Sequence, residues 1–133
     1  MLVVLVGSVR SESTATGVRE LISVTGWHWK VTWRVPEAKL QDVGLWDSRR
    51  EPRLSIARAI EIARDSLRST GHSGQLPVFS VALRKPVKAD IPGDYYFYFI
   101  SFLDSRPSEE SRKDPQVVVL LDGSVVTPER TNS

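Results

Sequence analysis

The segment from Trp27 to Val35 constrains the fold more than any other part of the chain. Trp27, Trp29, Val31, Trp33 and Val35 alternate with His28, Lys30, Thr32 and Arg34. A period of two places the first set on one face of a β-strand and the second set on the other. Large aromatics dominate core burial, so the pattern reads as a half-buried strand with its indoles in the core and its cations in water. Pro36 is expected to end the strand, because proline has no N–H to donate to a continuing ladder.

The stretch Leu54 to Ser69 predicts a helix. Ser55 is a suitable N-cap, and Ile56, Ala59, Ile60, Ala63 and Leu67 recur at helical spacing as one apolar stripe. Arg58–Glu61 and Asp65–Arg68 are i,i+3 charge pairs on the polar side. Gly71 suits the left-handed residue that follows a helix, and Gly74 and Pro77 prevent continuation. The small Ala59 and Ala63 allow close approach to a sheet.

Further strands are expected before and after the helix. Val18 to Thr25 reads as a short strand. Phe79, Val81 and Leu83 alternate with Ser80, Ala82 and Arg84. Tyr95 to Leu103 is apolar on both faces, as a strand covered twice would be. Gln116 to Leu121 is β-branched and apolar, and Asp122-Gly123 predicts a two-residue type I′ turn pairing Leu120 with Val125 and Val119 with Val126. Pro128 would make the return strand a short edge. Residues 37–53 read as an irregular connection punctuated by Gly44, Trp46 and Pro52. The sum is an α+β domain, one helix packed on a curved antiparallel sheet of about four to five strands.

Composition bounds the function. The chain has 133 residues and no cysteine, which excludes disulfides, thiolate nucleophiles and cysteine-ligated metals. The formal net charge is only +2, so the global excess of cations predicts no nucleic-acid partner. The six arginines between Arg49 and Arg68 suggest a mildly basic face. No apolar run is long enough for a membrane-spanning helix. The opening Met1-Leu2-Val3-Val4-Leu5-Val6-Gly7-Ser8 resembles the end of a secretory h-region without its basic start. Residues 1–16 therefore read as a truncated signal segment or a disordered N-terminus, with a short buried strand at Leu2–Val6 as the alternative. Residues 17–133 read as the single domain.

No catalytic, cofactor or metal set emerges. His28 and His72 are the only histidines, and no ligand spacing or nucleophile motif accompanies them. A small hydrolase or metal-dependent enzyme using His72 with Asp104 is the least favoured reading. Glu109, Glu110 and Asp114 mingle with Arg106, Arg112 and Lys113 among serines and prolines, which reads as a solvated hairpin loop. Single-stranded nucleic-acid binding would stack bases on Trp27, Trp29 and Trp33 and draw phosphates to Lys30 and Arg34. The alternation opposes it, since a groove needs aromatics and cations on one face.

Leu54-Ser55 followed by Ala59 and Ala63, Tyr96 and Tyr98 on a later strand, and Val117 to Asp122-Gly123-Ser124-Val125 are similar to PepSY-like domains over about residues 54–126. The resemblance implies a cystatin-like α+β unit without a catalytic centre, located outside the cytoplasm, that binds or restrains a peptidase or other protein. The long 36–52 loop and the tryptophan-rich strand depart from that pattern. The expected role is a non-enzymatic binding or inhibitory module of an exported protein, needing no cofactor. It would hold a protein or peptide through a sheet edge or loop, as a monomer or weak dimer. The candidate contact residues are Arg58, Arg64, Arg68, Trp46, Ser124 and Val126, with the Phe79–Arg84 strand as a second candidate edge.

Overall fold

The computed structural model of the chain describes residues 17–86, 93–103 and 115–132. The N-terminal segment, Asp104 and the charged 104–114 loop lie outside the described residues. The elements are β1 (Val18–Thr25), β2 (Trp29–Pro36), α1 (Glu37–Val43), α2 (Ile56–Ser69), β3 (Val78–Arg84), β4 (Phe97–Phe102), β5 (Gln116–Leu120), β6 (Val125–Val126) and β7 (Pro128–Asn132). The domain is α+β, with two antiparallel sheets of order β1-β2-β7 and β3-β4-β5-β6.

Every residue of β4 is buried, because both of its faces are covered. Tyr98 and Phe102 face α2: the Tyr98 phenol donates to the Leu54 carbonyl, and the Arg64 guanidinium lies 5.7 Å from the Phe102 ring centre. Phe99, on the opposite face, meets Trp33 of β2. Helix α2 thus buries Ala59, Ala63 and Leu67 against one side of the four-stranded sheet. Inner-face residues of the three-stranded sheet meet the other side.

Helix α2 begins as its sequence predicts. The Ser55 hydroxyl accepts the Arg58 N–H at 3.1 Å. It ends in a Schellman motif, with the His72 N–H on the Leu67 carbonyl, the Gly71 N–H on the Arg68 carbonyl and Gly71 at φ 106°. Ile56, expected in the apolar stripe, is 54% exposed, since it lies in the first turn.

Further details differ from the sequence expectations. Residues Glu37–Val43, read as irregular, form α1, which buries Leu40 and Val43 against the core. The helix is short and follows β2 directly, so its few apolar positions leave little periodic signal. Strand β2 starts at Trp29 and includes Pro36. Trp27 therefore sits in the β1–β2 turn, 91% exposed, and leaves the indole face it was assigned to. The β5–β6 turn has Gly123 at φ 91° while no described non-glycine residue has positive φ. A type I′ turn needs positive φ at both central residues, so Asp122-Gly123 adopts a three-residue connection instead. The Gly123 N–H bonds to the Leu120 carbonyl and the Leu120 N–H to the Ser124 carbonyl. Pairing becomes Val119 with Val125 and Val118 with Val126, one residue from the expected register, which exchanges the faces of the return strand.

Finally, the return strand β6 is the short edge expected from Pro128, but Pro128 itself opens a further strand. Strand β6 stops after Val126 and the chain continues as β7, which pairs with β2 through Pro128–Trp33, Arg130–Val31 and Asn132–Trp29. Proline fits there as the first residue of an edge strand. One run of chain thus belongs to one sheet up to Val126 and to the other from Pro128, a strand that switches sheets at Thr127.

Candidate binding cleft

The divergence of the sheets at Thr127 opens a cleft of about 480 Å³. That volume is in the range of small-ligand pockets. One wall comes from β2, with Trp29, Val31 and Trp33. A second comes from the C-terminal turn of α2, with Leu67, Thr70 and His72. Val117 and Val126 line the four-stranded side, and Pro128 and Arg130 the β7 side. The walls follow from the alternation: paired residues across an antiparallel ladder share a face, so Arg130, opposite Val31, stands on the same face as the indoles.

The opposite face of the three-stranded sheet is polar. The Ser23 and Thr32 hydroxyls lie 2.9 Å apart, and Arg34 pairs with Glu20 and Glu129. The indoles of Trp29 and Trp33 and the cations Lys30 and Arg34 thus occupy opposite faces, as the period of two requires.

Gly26 shapes the cleft from outside. A Cβ there would lie 2.0 Å from the Trp29 ring, so the indole is folded over the glycine backbone. Trp33 is buried at 2% exposure, yet its indole N–H has no acceptor among the described residues.

The residues singled out from sequence are dispersed. Arg58 and Arg68, on α2, form exposed pairs with Glu61 at 3.0 Å and Asp65 at 4.0 Å. Arg64 donates to the Leu76 carbonyl at 3.1 Å and so pins the α2–β3 connection. Trp46 stacks edge-on against Tyr96, with centroids 4.8 Å apart, and donates to the Arg50 carbonyl. Ser124 lies in the β5–β6 turn, where its N–H donates to Asp122 Oδ1 at 2.9 Å. Val126 alone among these six lines the cleft. The two strands named as candidate edges, β3 and β6, stand at opposite ends of the four-stranded sheet.

Arg130 escaped the sequence reading. The run Thr127-Pro128-Glu129-Arg130-Thr131-Asn132 has no apolar alternation and contains Pro, Glu and Asn, which are poor strand formers, so no face could be assigned to it. Its partner strand alone makes it a strand. His72 follows the helix, and the Schellman turn carries it to the cleft.

The fold and cleft define a two-sheet α+β domain with a groove at a strand that changes sheets. No protein-family model, no curated protein and no solved structure matches the chain.

Proposed function

We propose that the chain is a non-enzymatic binding module that holds an extended segment of a partner protein or peptide along a free strand edge. The observation that carries this reading is the outer edge of β7 beside the cleft. All five residues of β7 are exposed, and among the described residues β7 pairs with β2 alone. Alternate residues of such a strand turn their N–H and C=O away from the partner they have, and an incoming strand can pair with them. The apolar cleft wall gives alternate side chains of that strand a place to pack.

The PepSY-like likeness supports the same role. In that picture one helix rests on a curved antiparallel sheet, and the module acts on an exported protein, as a binder or an inhibitor, outside the cytoplasm. Pairing of two exposed edges would also produce a weak dimer.

Selection of extended peptides from a random library on the full chain tests the reading. Bound peptides are expected to slow amide hydrogen exchange in residues 129–132 while leaving the fold intact. Protection confined to the polar side of α2, or a library from which nothing is selected, overturns it.

A further inference from the structure

Resting on the peptide-holding reading above, we propose that the segment held at the cleft carries an acidic side chain two positions from an apolar one. The acid pairs with Arg130, and the apolar residue packs against Pro128 at the rim of the cleft.

The charge of the cleft selects an anion. Among the described residues, Arg130 is the only lysine or arginine lining it, and no aspartate or glutamate does. Arg130 has no ion-pair partner among the described residues, although Glu129, one residue earlier and on the other face, pairs with Arg34. A second donor on the same face of the sheet, the Trp33 indole N–H, has no acceptor among the described residues. That N–H is closed off from water, so Arg130 is the group an incoming carboxylate meets first.

Register sets the spacing. A strand added to the outer edge of β7 places one side chain directly opposite Arg130 and on its face. Side chains two residues away fall opposite Pro128 and Asn132 on that same face. Pro128 pairs with Trp33 across the β2–β7 ladder and lines the cleft together with Val117 and Val126, so the position opposite Pro128 faces apolar side chains. Pro128 has no N–H, so the new ladder spans Glu129 to Asn132 and the residue at the proline is held by packing.

The test uses fluorescently labelled threonine-rich peptides with leucine and glutamate two positions apart, and their Glu→Gln and Glu→Lys versions, titrated into the full chain. Either the Glu→Gln peptide or an Arg130→Gln protein should bind about tenfold more weakly, as for loss of a charge-assisted pair. The Arg130→Glu protein should prefer the lysine peptide. Thermal unfolding of both variants should match the parent, because Arg130 is exposed. Equal binding of the glutamate, glutamine and lysine peptides overturns the acid recognition and leaves the edge-holding reading standing. No binding by any of them overturns both.

Discussion

The indole of Trp33 on β2 meets the ring of Phe99 on β4 edge-on, with centroids 5.6 Å apart and planes at 84°. This pair joins the two sheets, since Trp33 belongs to the three-stranded one and Phe99 to the central strand of the other. Both side chains are at most 9% exposed. Trp33→Ala should lower stability by about 3–5 kcal/mol in urea unfolding, the usual cost of emptying a large aromatic site. Trp33→Phe should cost clearly less, because it also removes a buried N–H that has no acceptor among the described residues. A loss below about 1 kcal/mol for the alanine variant would mean that the sheets are not joined there.

Tyr98 ties the central strand to the start of α2 through its bond to the Leu54 carbonyl. Burial raises its phenol pKa above the ordinary value. An acid whose pKa is raised in the folded state contributes stability that is full below the unfolded value, near pH 10. That contribution disappears as pH climbs through the folded value. Tyr98→Phe should cost about 1–2 kcal/mol at neutral pH, because the Leu54 carbonyl loses its donor. The same variant should have a flatter alkaline limb in a stability–pH series. An unchanged limb would assign the alkaline loss to other groups.

Asp122 links the β5–β6 turn to α1. Its carboxylate accepts from Lys39 Nζ at 2.8 Å and from the Ser124 N–H. Burial pushes its pKa up, but the Lys39 and Ser124 hydrogen bonds and the Lys39 charge outweigh that and leave it lowered. A depressed carboxylate stabilises the fold above the unfolded value, near pH 4, and loses that contribution as pH falls through the folded value. Asp122→Asn keeps an acceptor for the Ser124 N–H and removes the charge. It should cost roughly 0.5 kcal/mol at pH 7 and reduce the stability difference between neutral and acid pH. A larger loss at low pH than at neutral pH would contradict this.

Gly26 supplies a functional prediction. An alanine there would normally stabilise slightly by restricting the unfolded chain. Here the new methyl would meet the Trp29 ring at 2.0 Å, so the indole must leave its place on the cleft wall. Gly26→Ala should shift tryptophan emission and weaken peptide binding at the cleft, while Trp27→Ser, at a side chain 91% exposed, should leave stability within about 0.5 kcal/mol. Unchanged emission in the glycine variant would show that Trp29 does not rest on Gly26.

Much of the local structure was legible in the residues themselves. The alternation around Trp29, Val31 and Trp33 placed their side chains on one face, and the Ser55 cap and Gly71 bounded α2. The candidate site was mostly not legible. Of its wall residues, Trp29 and Trp33 carried a periodic signal, whereas Arg130 sat in a segment with none. The expected type I′ turn failed because Asp-Gly is compatible with more than one hairpin connection, and the chain uses the one that keeps Asp122 at negative φ.

The sequence by itself determined which faces of β2 and α2 are apolar and where α2 starts and stops, because periodicity, capping and turn chemistry act over a few neighbouring residues. The tertiary structure alone decided that Val125–Asn132 leaves one sheet for the other at Thr127. It also decided that α1 forms beside β2 and that Arg130 stands among indoles. The strand switch and the place of Arg130 depend on pairing partners about a hundred positions away in the chain, as Arg130 with Val31. A local reading contains no term for such partners, since strand formation is governed by the neighbour it packs against more than by its own residues.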